Sequence, residues 1–400
     1  MKIKITIIIV ALFAFVKIQA QNNVKHKADS IARLYLQNGA GALVIGIYDN
    51  GKENIFYYGK ISSEKNTAPD GNTVFEIGTL TETFASILYA DMLLKNLVNG
   101  DDKLKSFLPV NIPSPVYQKI VCKAAIVEDD YPLPNRDAGN IRFTNFMCFP
   151  DPSSKPQEIM LCDLATHTTG FPLYPTNFSL KNNKDNPFSN YTKENLYDFL
   201  RGYNFDGPFG YDYKHSATGI TLLGHVLSLK ADMDFDTLLT TRLFDSLGMH
   251  NTRINLTTLQ QQNLLPGRNA AGNIVPHFTY DIMAPYGGLH STANDMMLFL
   301  SRNLAKQKDY YVNLLDYTHN GRILLTGKKN VGKEIALGWK INPLDKENKI
   351  VWQSNLSGGF ATYIGFVETN HTGVFILSSI AKDTQATGES ILKILQTERL

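Results

Sequence analysis

Val74-Phe75-Glu76-Ile77-Gly78-Thr79-Leu80-Thr81-Glu82-Thr83-Phe84 is the stretch on which the reading of this 400-residue chain turns. Val74 to Gly78 follows Pro69-Asp70-Gly71 and leads directly into a helical pattern. Beyond it Leu80, Phe84, Leu88 and Met92 fall four apart, the spacing that gathers apolar side chains on one helical face. Gly78 stands at the joint, where a residue without a Cβ lets the chain turn sharply into a buried helix. Thr79 and Glu82 sit three apart at the start of that helix, so they share a face.

On the N-terminal side, Ala42 to Tyr48 and Ile55 to Tyr58 read as two strands joined at Asp49-Asn50-Gly51, a strong hairpin signal. On the C-terminal side, strand patterns return at Ile335 to Ile341, Tyr363 to Val367 and Val374 to Ser378, and a helix closes the chain at Glu389 to Thr397. Between Asp101 and Ile282 the pattern is short helices and loops, with Pro, Asn and Asp clusters at 109–156 and 182–208. One sheet built from both chain ends, with a mainly helical lobe inserted, is the expected architecture. The sheet lobe takes residues 22–78 and 285–400 and the helical lobe residues 79–284 of a domain spanning 21–400.

Lys2 and Lys4, the apolar run Ile5 to Val16 and a small residue at Ala20 read as a signal peptide over residues 1–20. That run is about half the ~20 residues needed to span a bilayer, so the expected chain is exported, periplasmic or extracellular, with no membrane span after cleavage. The formal net charge is +2, and removing Lys2, Lys4 and Lys17 with the leader brings it to −1. With no basic run, nucleic acid is not an expected partner, whereas a small-molecule or peptide ligand, or a protein partner, is. Cys122, Cys148 and Cys162 permit one disulfide and one remaining thiol in an exported chain, or three buried free thiols; spacing does not choose.

Five stretches occur in a telling order: Phe75-Glu76-Ile77-Gly78, then Leu164-Ala165-Thr166-His167-Thr168-Thr169-Gly170-Phe171-Pro172, then Leu247-Gly248-Met249, then Gly287-Gly288-Leu289-His290-Ser291-Thr292-Ala293-Asn294-Asp295, and finally Gly358-Gly359-Phe360. In these the chain resembles the serine β-lactamase and penicillin-binding-protein superfamily. The resemblance implies an α/β (α+β) fold of β-lactamase/transpeptidase type, an antiparallel sheet flanked by helices. It also implies a cleft with three motifs: Ser-x-x-Lys, Tyr-x-Asn or Ser-x-Asn, and Lys-Thr-Gly or His-x-Gly. In that chemistry the lysine takes the nucleophile's proton while backbone N–H groups hold the oxyanion.

At the matching positions stand Thr79-Leu80-Thr81-Glu82, His215-Ser216-Ala217 and Gln353-Ser354-Asn355. Thr79 keeps a hydroxyl but adds a methyl group that stiffens χ1. Glu82 replaces an amine with an acid beside the position of a developing oxyanion. Gln353 removes the cation that would hold a substrate carboxylate. Gln353, Ser354, Asn355, Leu356 and Ala217 would line the substrate side of the cleft, with the N–H groups of Thr79 and a residue near Leu356 left as the oxyanion hole.

A catalytically inactive member that binds an envelope ligand or a partner, through this cleft or the long segment 110–157, is the leading expectation. The alternative is a rewired acyl hydrolase with a Thr79-His215-Glu82 triad. Ordinary roles for the same residues are a helix cap at Thr79, an acid at the helix N-terminus at Glu82 and a loop histidine at His215. His167, Ser291 and Asp295 are expected to order loops. Glu82 and His215 lack a recognisable third ligand, so no metal or cofactor is expected. Ser62-Ser63-Glu64-Lys65 matches Ser-x-x-Lys as a string but lies in a polar loop without a hydrophobic face.

Overall fold

The computed structural model describes residues 25–36, 41–61, 67–127, 143–181 and 183–397. The expected signal peptide and Ser62-Ser63-Glu64-Lys65 lie outside the described residues. Strands β1 (Ala42–Asp49) and β2 (Lys52–Gly59) form the expected hairpin, with Asn50 at φ 51° and Gly51 at φ 87°. Two consecutive positive φ values are what a two-residue hairpin turn needs to match strand twist. Short strands follow at β3 (Val74–Glu76), β4 (Val116–Tyr117), β7 (Gln157–Glu158) and β8 (His290–Thr292), and between them lie the longer β5 (Ile120–Val127) and β6 (Phe143–Pro150). The C-terminal part supplies β9 (Ile323–Leu324), β10 (Glu334–Ile335), β11 (Lys340–Pro343), β12 (Lys349–Ser357), β13 (Phe360–Val367) and β14 (Thr372–Ser378).

The main sheet has eight strands in the order β2-β1-β14-β13-β12-β11-β10-β9, and its strand pairs are antiparallel. Both ends of the chain therefore build one sheet, as expected. A helix over residues 25–35 (α1) and the C-terminal helix Gln385–Thr397 cover one face, packing Ala28, Ala32, Ile391 and Leu392 on Leu43, Ile45, Trp352 and Tyr363. The other face carries the helical part, centred on α2 (Thr81–Leu94), whose residues from Thr81 to Met92 are all buried. Such a helix runs through the core rather than over it. α5 (Ala217–Ala231) packs against α2, α3 (Leu161–Ala165) packs against α5, and α4 (Lys193–Gly202) lies between those two in the chain.

Three expectations need correction. The strand read over Ile335 to Ile341 is two strands, because the segment between them turns back with Ala336 N–H donating to Trp339 O at 2.9 Å. Gly338 permits this at φ 75°, and a Cβ there would lie 2.6 Å from Thr83 Cα, so the turn is pressed onto α2. The inserted lobe also holds strands that its reading as loops and short helices did not place. Ile120–Val127 and Phe143–Pro150 pair over eight residues as a separate two-stranded sheet, since both runs are dominated by apolar residues that suit a pleated strand. The closing helix begins at Gln385, four residues before the expected start.

Candidate active site

The backbone leaves β3 at Glu76, passes Gly78 at φ 51° and makes one 3-10 turn, Gly78–Leu80, before α2 begins. Gly78 is required twice over. Its φ is left-handed, and an added Cβ would lie 2.3 Å from Asn355 Oδ1. Thr79 thus faces the end of β12. It is not the helix cap: no side chain caps α2.

Thr79 is fully engaged by β12. Its backbone N–H donates to Asn355 Oδ1 at 3.1 Å, and its hydroxyl lies 3.0 Å from Ser354 O and 3.3 Å from Asn355 Oδ1. Ser357 Oγ donates to the same Asn355 oxygen at 2.9 Å. The expectation that the Thr79 N–H survives as a free oxyanion donor is therefore corrected: a carboxamide oxygen already holds it. Only a side chain longer than the glycine of the resembled motif reaches that far across the gap. Asn355 is 3 % exposed, and its Nδ2 is buried without a hydrogen-bond partner, an arrangement that costs about 1–3 kcal/mol. Neither nearby oxygen acceptor is a base able to take the Thr79 proton, and among the described residues no hydrogen bond joins Thr79 to His215.

Glu82 lies in the first turn of α2 and is 1 % exposed. His215 immediately precedes Ser216, whose hydroxyl caps α5 by accepting from Gly219 N–H at 3.0 Å. From there its Nε2 reaches both Glu82 oxygens, at 2.9 and 3.0 Å. Burial pulls the His215 pKa down, but attraction to Glu82 and the hydrogen bond outweigh it, so the net direction is up from 6.5. His167, at φ 55° in its threonine-rich loop, completes a triangle with Nε2 3.7 Å from Glu82 Oε2. Burial drives the His167 pKa down to about 4. His167 is thus held as the neutral ring of the cluster, and His215 is the ring held toward its charged form.

The ligand atoms of Glu82, His167 and His215 all lie within 4.8 Å of one another, so the third metal-ligand candidate that the sequence reading lacked is present. Its protonation argues against an ion. Ser216 N–H donates to His167 Nδ1 at 3.2 Å, which places the proton of the neutral ring on Nε2, the atom that faces Glu82. A metal-bound imidazole has the reverse arrangement, with its far nitrogen donating. The constellation fits a hydrogen bond from His215 to Glu82, with His167 Nε2 turned toward the same side chain at 3.7 Å.

A cavity of about 10 Å³ lies against Glu82, His167, Tyr213, Trp339, Lys340 and Gln353, roughly the room needed by one water molecule. Lys340 and Tyr213 were not singled out in the sequence. Burial lowers the Lys340 pKa while Glu82 attracts its charge, and Tyr213 is raised, first by burial and then by Glu82. No local sequence signal marks Lys340, whose pairing with Trp352 across β11 and β12 is set by the sheet register. Gln353 is buried, its amide donating to Gly338 O at 3.5 Å and accepting from Ser354 N–H at 3.0 Å. Ala217 is buried as the first residue of α5, while Leu356 is 55 % exposed at the end of β12. Ser291 and Asp295 meet Thr252, each at 2.8 Å, and tie its loop.

The family model described as Beta-lactamase matches residues 20–397. Among curated relatives, the Beta-lactamase of Psychrobacter immobilis is 21 % identical over 90 % of this chain and 84 % of its own length. The D-alanyl-D-alanine-carboxypeptidase/endopeptidase AmpH of Escherichia coli K12 is also 21 % identical, covering 86 % of this chain and 80 % of its own. Among solved structures, the Beta-lactamase/D-alanine Carboxypeptidase from Yersinia pestis superposes with a TM-score of 0.71 at 22 % identity, covering 94 % of this chain and 98 % of that one. A class C beta lactamase from Rhodobacter sphaeroides gives a TM-score of 0.70 at 19 % identity, over 95 % and 100 % of the two chains. The eight-stranded antiparallel sheet flanked by helices is their fold, and with the family match running almost from end to end, the chain belongs to the beta-lactamase family.

Proposed function

We propose that this chain is an exported, catalytically inactive member of the family, which binds an envelope ligand or a protein partner through the former active-site cleft or its long loops. The observation that carries this reading is the contact between Thr79 N–H and Asn355 Oδ1 at 3.1 Å. An oxyanion forming at Thr79 has to displace that oxygen, and it does so one helical turn from the Glu82 carboxylate. Acyl transfer needs a proton acceptor for the attacking hydroxyl and donors aimed at the new negative charge. Here the acceptor's lysine is an acid and one donor is already bound. Disabling both nucleophile and base in a hydrolase costs on the order of a millionfold, or about 8 kcal/mol of transition-state stabilisation.

Export rests on the first twenty residues of the sequence. Among the described residues no helix is long and apolar enough to cross a membrane. The test incubates the mature protein with activated esters and with a fluorescent penicillin, then reads turnover and covalent mass. Inactivity predicts neither. Turnover together with an adduct on Thr79 overturns it.

A second reading, a hydrolase using Thr79, His215 and Glu82, draws support from the His215–Glu82 hydrogen bond at 2.9 Å. That bond is the base-to-orienter half of a triad. The reading requires the Thr79 hydroxyl to leave Ser354 O and turn to His215. It predicts ester hydrolysis that is abolished by Thr79→Val and by His215→Gln alike; a wild-type chain inert toward every ester eliminates it.

A further inference from the structure

We propose that Asp316, His319 and Glu368 form a binding site for a zinc-like divalent cation, away from the cleft. Asp316 and His319 stand one helical turn apart at the end of the helix Tyr310–Thr318, where His319 N–H donates to Asp316 O at 3.1 Å. Glu368 comes from the turn Glu368–Asn370 between β13 and β14. Their ligand atoms all lie within 4.8 Å of one another. The turn leaves β13 at the end opposite Thr362, which pairs with Asn355, so this site is separate from Thr79 and its neighbours.

The observation that carries the proposal is how the His319 ring is held. It is 5 % exposed, packed against Trp339 and Phe366 at centroid distances of 5.7 and 4.9 Å. Its Nε2 lies 2.7 Å from Asn303 Oδ1. Asn303 Nδ2 donates to Phe299 O at 2.7 Å, which fixes the oxygen as the end that faces the ring. Nε2 therefore carries the hydrogen of the neutral imidazole, which has only one to give. The Nδ1 lone pair then faces Glu368 Oε1 at 2.7 Å, and two acceptors so close need positive charge between them. A far nitrogen that donates and a near one turned to carboxylates is the arrangement of a metal-bound imidazole, the one His167 lacks. A proton on Nδ1 serves Glu368 alone, whereas a cation also engages Asp316.

The donor set selects the ion. Calcium and magnesium favour oxygen ligands, whereas zinc takes imidazole nitrogen together with carboxylate oxygen at about 2.0–2.2 Å. Ligands at that distance stand roughly 3.4 Å apart in a tetrahedron, so Glu368 withdraws a little and Asp316 closes in. Both carboxylates are partly exposed, and the shift meets little packing. Lys308 pairs with Asp316 Oδ2 at 2.6 Å, but a carboxylate has two oxygens, so this surface pair does not exclude the ion. Bound there, the ion ties the helix to the turn after β13 and stabilises the folded chain by mass action.

The test titrates zinc chloride into the purified, chelator-treated full chain by isothermal titration calorimetry and follows thermal unfolding alongside. The expected result is saturable binding that raises Tm, weakened at least about tenfold by Glu368→Gln and by Asp316→Asn. His215→Gln, which alters the cluster in the cleft, leaves the affinity unchanged. Glu368 and Asp316 lie at the surface, so neither substitution threatens the fold. Absence of saturable zinc binding, equal affinity in Glu368→Gln and wild type, or a loss in His215→Gln instead, overturns the proposal.

Discussion

Acidification singles out His167. Its side chain is 7 % exposed, and burial lowers its pKa from 6.5 to about 4. In the unfolded chain the ring takes a proton near pH 6.5, whereas in the folded chain it resists until about pH 4. Between those values the unfolded state binds more protons, so stability falls as pH drops through that window and levels off below it. The fall from 6.5 to about 4, at about 1.4 kcal/mol for each tenfold change in proton affinity, comes to on the order of 3 kcal/mol. His215 acts with the opposite sign. Its folded pKa is raised, so its contribution is complete below about pH 6.5 and fades as pH rises through the folded value. Urea unfolding of wild type and His167→Asn at about pH 7 and about pH 4.5 isolates the first effect. Asparagine tolerates the left-handed backbone at this position, and its Oδ1 can keep accepting from Ser216 N–H. Wild type should lose on the order of 2–3 kcal/mol more than the variant over that interval. Parallel profiles would refute the assignment of His167 as a buried neutral ring.

Further outcomes follow from the same contacts. His215→Ala should destabilise the fold by on the order of 2–3 kcal/mol, below the ~3–5 usual for an orphaned buried charge because the ring is partly solvated; Glu82→Gln in the same chain should recover part of it, both read by urea unfolding. Gly78→Ala forces a Cβ to 2.3 Å from Asn355 Oδ1 at φ 51°, and its cost should exceed about 2 kcal/mol; a loss within about 0.5 kcal/mol would mean that Asn355 is not held there. Cys162 should react with a thiol reagent at mildly alkaline pH many-fold more slowly in the folded chain than in denaturant, in line with a pKa pushed up to about 11. Equal rates would place this thiol in solvent.

The sheet from both chain ends was legible because its signals are local: Asn50-Gly51 encodes a turn, and Leu80, Phe84, Leu88 and Met92 encode a helix face. The contact of Glu82 with His215 was approached through motif order, since the first opens one buried helix and the second precedes the next, whereas Thr79 is held by β12 instead. What escaped was any contact set by strand placement. Asn355 reaches Thr79 across 276 positions of sequence, and nothing in its own neighbourhood tells an amide lying in the gap from one in solvent. His167 had been read only as a loop-ordering residue. It does order the loop, through Ser216 N–H, but its Nε2 then falls beside Glu82 as a consequence. The β5–β6 hairpin was obscured because loop-forming residues on either side dominated a segment whose two apolar runs pair only in three dimensions.

The central claim is that side chains alone, with the Asn355 amide foremost, keep this site from acyl transfer. It is tested most directly by rebuilding the motifs twice, once as Thr79→Ser, Glu82→Lys, His215→Tyr and Gln353→Lys, and once with Asn355→Gly added, and measuring the rate of an activated ester's hydrolysis in both chains and in wild type. Activity should arise only in the chain that also lacks Asn355. Equal activity with and without Asn355, or wild-type turnover at a comparable rate, would contradict the account.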